Sequence, residues 1–98
     1  MNSEIAFITG ASHGIGRAIA TEFAQAGYAL AINCRSSADE LNRLAQDLHE
    51  TFGVPCIPLT GDAGDEDFVK DAFRLAEQQL GPITTLVNNA GISHIGLL

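Results

Sequence analysis

Apolar residues are distributed along the chain in two alternating textures, short unbroken runs and longer stretches with a helical repeat. Ile5–Thr9 is an unbroken run rich in β-formers, stopped by Gly10, and it predicts a strand buried on both faces. Over residues 14–26, Ile15, Ile19 and Phe23 recur at every fourth position with Ala18, Ala20 and Ala24 beside them. Gly27 follows where a helix would be capped. Residues 28–33 are a second apolar run and a second predicted strand. Ser37-Ala38-Asp39-Glu40 then has the Ser-x-x-Glu form of a capping box and predicts the start of a helix. Leu41, Leu44, Ala45, Leu48 and Phe52 lie on one face of that helix, and Gly53 and Pro55 end it.

Cys56–Thr60 follows as a third strand, in which Pro58 suits an edge because it has no N–H to give to a ladder. Asp65, Glu66 and Asp67 crowd the first turn of a third helix, where their charge complements the helix dipole. That helix carries Phe68, Val69, Ala72, Phe73, Ala76 and Leu80 and is stopped by Gly81-Pro82, and residues 83–87 form the fourth strand. Strands alternating with helices indicate βαβ units, hence an α/β fold built on a parallel sheet. Right-handed crossovers place the first two helices on one face and the third on the other, with strand order 3-2-1-4. That order puts Pro58 on an edge. It also separates Cys34 from Cys56 by roughly 15 Å, too far to pair.

With 98 residues the chain has room for one domain and excludes a two-domain enzyme. Apolar residues at 46% and charged residues at 17% give enough material for a core. A net charge of -7 repels phosphate backbones and anionic lipid, so neither nucleic acid nor a membrane surface is an expected partner. No apolar run approaches the ~20 residues that span a bilayer. The first residues have no basic region preceding an apolar core, which points to a cytoplasmic protein. Two cysteines without Cys-x-x-Cys or Cys/His spacing support neither a disulfide framework nor a metal site.

The chemistry lies between the first strand and its helix, in Thr9-Gly10-Ala11-Ser12-His13-Gly14-Ile15-Gly16. Backbone N–H groups and the positive end of a helix converge there on a bound anion. Gly10 permits the turn, Gly14 lets a pyrophosphate approach the backbone, and Gly16 lets the helix pack closely on the strand. The alternative, a tight turn without a ligand, does not explain three glycines at this spacing.

This Gly-x-x-x-Gly-x-Gly spacing, with Asn88-Asn89-Ala90-Gly91 after the fourth strand and Asp62 after the third, resembles the short-chain dehydrogenase/reductase family. The resemblance covers the whole chain and implies a Rossmann-type parallel sheet with helices on both faces. Members run to about 250 residues, so residues 1–98 correspond to the N-terminal, cofactor-binding part of one such domain. By the family's pattern, Gly10, Ser12, His13 and Ile15 would contact the cofactor's phosphates and ribose. Asp62 and the backbone of Ala63 would hold the adenine, and Asn89, Ala90 and Gly91 would lie near the nicotinamide ribose. Asn88 would tie the fourth strand to its neighbours, and the alternative role for Asp62 is a turn or capping carboxylate.

Enzymes of this fold that use NAD place an acidic residue at the end of the second strand to bind the ribose 2′-hydroxyl. Cys34 stands there, followed by Arg35 and Ser36. Arginine grips a phosphate bidentately and the serine adds a hydroxyl, so the expected cofactor is NADP(H). The family reduces ketones with a Tyr-x-x-x-Lys pair and a serine on later strands and helices, and the chain stops before all of them: Tyr28 opens the second strand and Lys70 lies in the third helix, so neither can stand in. Ser93 and His94 lack an acidic partner and fit a loop beside a substrate cleft. No catalytic residue is therefore assigned within the chain. Within the family the motifs look most like bacterial 3-oxoacyl-[acyl-carrier-protein] reductases of fatty-acid synthesis, whose substrate is a small-molecule or carrier-bound 3-oxoacyl group and which assemble as homotetramers. The Gly96-Leu97-Leu98 ending also resembles relatives that reduce a 5-aminopentanone group on elongation factor P. A non-catalytic nucleotide-binding module is the alternative from another class.

Overall fold

The computed structural model describes residues 4–89. β1 (Ile5–Thr9), α1 (Gly14–Gln25), β2 (Ala29–Cys34), α2 (Ala38–Phe52), β3 (Cys56–Thr60), α3 (Glu66–Leu80) and β4 (Thr85–Asn88) alternate along the chain. All neighbouring strands pair in parallel, in the order β3-β2-β1-β4. This is the order that right-handed crossovers predict.

Side chains alternate across a strand with a period of two, so β1, β2 and β3 each feed two cores. Ala6, Ile8, Leu30 and Ile32 pack with Ala20 and Ala24 of α1 and with Leu41, Leu44 and Leu48 of α2. Phe7 and Ala31 face the other way, onto Ala72 and Ala76 of α3. Phe7 also stacks on Phe73, with ring centroids 4.5 Å apart. The unbroken apolar run of β1 follows from this: all five of its residues are buried, because helices cover both faces. Burying Phe7, Ile8, Leu30 and Ile32 contributes about 1.5–3 kcal/mol for each side chain relative to exposure.

The ends of α1 and α3 follow from local chemistry. Gly27, at φ 93°, closes α1: its N–H donates to Ala24 O and that of Tyr28 to Phe23 O, the paired bonds of a Schellman motif. Tyr28 and Phe23 then pack edge to face at 4.7 Å. With its N–H spent on the helix, Tyr28 does not begin the strand, and β2 starts one residue later than the apolar run. Asp65 caps α3 by accepting from the N–H groups of Asp67 and Phe68. The capping box predicted at Ser37 and Glu40 is not formed. Ser37 sits at φ -93° and ψ 61°, outside the extended conformation that aims a cap oxygen at the helix, and its side chain makes no capping bond. The fourth strand is Thr85–Asn88 and not 83–87, since the N–H of Ile83 goes to Glu77 Oε2.

β3 is an edge strand, with Pro58 opposite Ile32. The register sets Cys56 against Leu30 and Cys34 against Thr60, which keeps the two cysteines four residues apart along the ladder, and both are free thiols. Burial pushes the Cys56 thiol up to about 12, so it stays protonated and unreactive near neutral pH. Among the described residues no helix is long and apolar enough to cross a membrane.

Candidate functional site

The turn between β1 and α1 lies at the carboxyl ends of the strands, and its shape depends on two glycines. Gly10 and Gly14 both adopt φ 63°, a conformation that costs any residue with a Cβ. Between them the N–H of Ala11 donates to Asn33 O at 2.8 Å, which moors the turn to the end of β2. Gly16 serves close approach: a Cβ there would fall on the carbonyl oxygen of Gly10 and close to Asn89 Nδ2. The same Gly10 oxygen accepts from Asn89 Nδ2 at 2.9 Å. The end of β4 is thereby tied to the turn.

The start of α1 is left open to an anion. His13 is its N-cap residue with extended backbone, and its side chain makes no capping bond. No acidic residue stands in the first turn of α1, whereas α2 and α3 begin with Asp39, Glu40 and Glu66, Asp67. The orphan N–H groups and the helix dipole are therefore neither capped nor neutralised from within the element. Ser12 is buried, with Oγ 2.9 Å from His13 Nδ1. The His13 side chain is exposed and lies 3.9 Å from Glu40 Oε2. A Cβ added at Gly14 would meet nothing within 4 Å, and the neighbouring Ile15 is 66% exposed, a large apolar side chain in the open beside the turn.

At the end of β2, Cys34 is buried while Arg35 and Ser36 are exposed. Arg35 has no hydrogen-bond or ion-pair partner among the described residues. The loop after β3 carries Asp62 and Ala63. Asp62 Oδ1 accepts from the N–H of Gly64 at 2.8 Å and its carbonyl accepts from Asp65, so the turn role weighed for this carboxylate is present. Ala63 lines a cavity of about 140 Å³ with Thr9, Asn33, Phe68, Val69 and Asn88. Asn88 Oδ1 accepts from Thr9 Oγ1 at 3.1 Å, which ties β4 to β1. Ala90, Gly91, Ser93 and His94 lie outside the described residues.

Four strand ends thus bring the glycine turn, Arg35-Ser36, Asp62-Ala63 and Asn89 to one edge of the sheet. Tyr28 and Lys70 are elsewhere. Tyr28 precedes the amino end of β2 and donates to Glu4 Oε2 at 2.6 Å, a bond that raises its hydroxyl above the ordinary value. Lys70 pairs with Glu66 one turn away on α3. Asn33 was not singled out by the sequence pattern, although an amide inside an apolar run is itself a signal. It is buried, and its Nδ2 reaches the carbonyls of Leu59, Gly61 and Cys34.

Comparison with known proteins places this geometry. The chain is 37% identical over 93 residues to a 3-oxoacyl-[acyl-carrier-protein] reductase of Staphylococcus epidermidis, covering 95% of this chain and 38% of the relative. L-sorbose reductase from Gluconobacter frateurii, solved with NADPH and L-sorbose, superposes with a TM-score of 0.83 at 36% identity over 90% of this chain and 33% of that one. An alcohol dehydrogenase from the archaeon Thermococcus sibiricus, complexed with 5-hydroxy-NADP, gives a TM-score of 0.79 at 35% identity over 85% of this chain and 35% of that one. The chain therefore spans about a third of the length of these proteins. The short chain dehydrogenase family matches residues 4–97. With a parallel 3-2-1-4 sheet and a glycine turn opening the first helix, this chain belongs to the short-chain dehydrogenase family.

Proposed function

We propose that the chain is the N-terminal, cofactor-binding part of a longer enzyme that reduces a ketone to an alcohol with NADPH. The observation that carries this reading is the start of α1, where the helix end is uncapped, has no acidic residue in its first turn, and opens with a Gly14 that faces open space. A pyrophosphate supplies the negative charge and the acceptors that this end lacks. Gly10, Ser12, His13, Gly14, Ile15 and Gly16 would form its cradle. Arg35, without a partner among the described residues, and Ser36 would hold a 2′-phosphate beside Cys34, where a carboxylate would repel it. Asp62 and Ala63 would take the adenine through the Asp62 Oδ2 edge and the Ala63 backbone. Asn89 would border the nicotinamide ribose with Ala90 and Gly91. The solved relatives that contain NADPH and 5-hydroxy-NADP support this assignment.

The bound cofactor supplies a hydride to a carbonyl carbon. The residues described here bind and orient it; none of them is placed to give the proton, since Tyr28 lies at the opposite end of β2 from the site and its hydroxyl is held to Glu4. On this reading the proton donor lies outside the described residues. Likeness to the staphylococcal reductase favours a 3-oxoacyl thioester as the substrate, carried by an acyl-carrier protein. The test is NADPH oxidation by the full-length protein with acetoacetyl thioesters. The expected result is turnover that requires the 3-oxo group; absence of turnover with any 3-oxoacyl thioester would contradict the substrate assignment.

A further inference from the structure

Asn33 is 1% exposed and lies where two functional loops meet. Its carbonyl accepts from Ala11 and so holds the phosphate turn. Its amide Nδ2 lies 2.8 Å from Leu59 O, 3.0 Å from Gly61 O and 3.2 Å from Cys34 O. An amide has two N–H groups, which these three oxygens share, and the reversed orientation would set Oδ1 against three carbonyl oxygens. The network therefore fixes the amide one way round.

The loop after β3 needs such a tether. Among the described residues β3 has a neighbour on one side only. Beyond Thr60, the chain is held to β2 by the bond from Gly61 N–H to Cys34 O and by the Asn33 amide. Asp62 and Ala63 come next, with Asp62 Oδ1 already engaged by Gly64. One buried side chain thus sets where the carboxylate stands relative to a turn moored by the same residue's backbone.

We propose that Asn33 is a positioning residue that holds the loop carrying Asp62 and Ala63 in register with the phosphate turn, so that this loop reads the exocyclic amine of the cofactor's adenine. The inference rests on the NADPH reading of the site and deepens it. It assigns base selectivity to a side chain that does not touch the base. The split in roles is specific: substitution of the side chain releases the β3 loop, while the phosphate turn keeps its bond to the Asn33 carbonyl.

The test uses the full-length protein, its Asn33→Ala and Asn33→Asp variants, and two ligands, NADPH and its hypoxanthine analogue, which carries an oxygen where adenine has the amine. The second variant is isosteric but sets a carboxylate against carbonyl oxygens. The unsubstituted protein is expected to bind NADPH about tenfold or more tightly than the analogue, the size of one hydrogen bond to a charged group. In both variants that ratio falls to about threefold or less, by loss of NADPH affinity alone. Amide exchange in the unliganded protein quickens at residues 61–65 and not at 10–16. A variant that weakens both ligands equally, or leaves both unchanged, overturns the inference while the NADPH reading stands. Failure of the unsubstituted protein to bind NADPH overturns both. If one variant does not fold, the other decides.

Discussion

Glycine 16 shows how one missing Cβ builds a site. A side chain there would collide with the backbone oxygen of Gly10, which is also held by Asn89, so neither the turn nor the helix can yield without the other. Gly16→Ala is expected to cost about 1–3 kcal/mol in overpacking and to abolish measurable NADPH binding in the full-length protein. Gly53→Ala is the contrast. That position has nothing within 4 Å and a φ of 73°, so the change costs about 1–2 kcal/mol in backbone strain and leaves cofactor affinity alone. Chemical denaturation with NADPH titration separates the two. The glycines were legible because their spacing is local to eight residues. The bonds from Asn89 to Gly10 and from Asn33 to Gly61 were not, because they join residues 79 and 28 apart in the chain, and only the sheet order brings them together. Asp62 was legible as polar and loop-borne; that its Oδ1 is spent on Gly64 follows from a local turn that spacing alone does not specify.

Helices and strands were read from periodicity, and the errors lie at their ends. Leu41, Leu44, Ala45 and Leu48 are buried on one face of α2 as the repeat predicts, with Phe52 half-buried at its end. The cap of the same helix was misread, since a Ser-x-x-Glu sequence gives the residues for a capping box and not the backbone angles that close it. Its acidic residue instead lies near His13. Asp65 makes the contrast testable. Its carboxylate accepts two N–H groups of α3, so Asp65→Ala is expected to destabilise the protein by about 1 kcal/mol, and Ser37→Ala by a few tenths at most. Equal effects in urea unfolding would show that Ser37 caps α2 in solution. Pro58 was the most informative residue at this scale, because its missing N–H identified the edge strand before any pairing was known.

For the whole molecule, the acidic balance and the proposed ligand pull in opposite directions, and the range of each force decides between them. A charge of -7 is spread over the surface and screened beyond about 8 Å at physiological ionic strength. The proposed anion site is made of short-range groups: an uncapped helix end, open backbone at Gly14, and Arg35 without a partner among the described residues. Net charge disfavours nucleic acid as a partner but does not bear on a cofactor phosphate held by local donors. Fold class and strand order were legible because strand and helix alternate and crossovers have one hand; the substrate was not, because the described residues provide only the cofactor edge of the sheet. The most direct test of the account is therefore titration of NADPH and NADH into the full-length protein and its Arg35→Ala variant. NADPH is expected to bind more tightly than NADH, with the variant losing about tenfold or more of the NADPH affinity and little for NADH. Tighter binding of NADH, or an Arg35→Ala variant with undiminished affinity for NADPH, would contradict it.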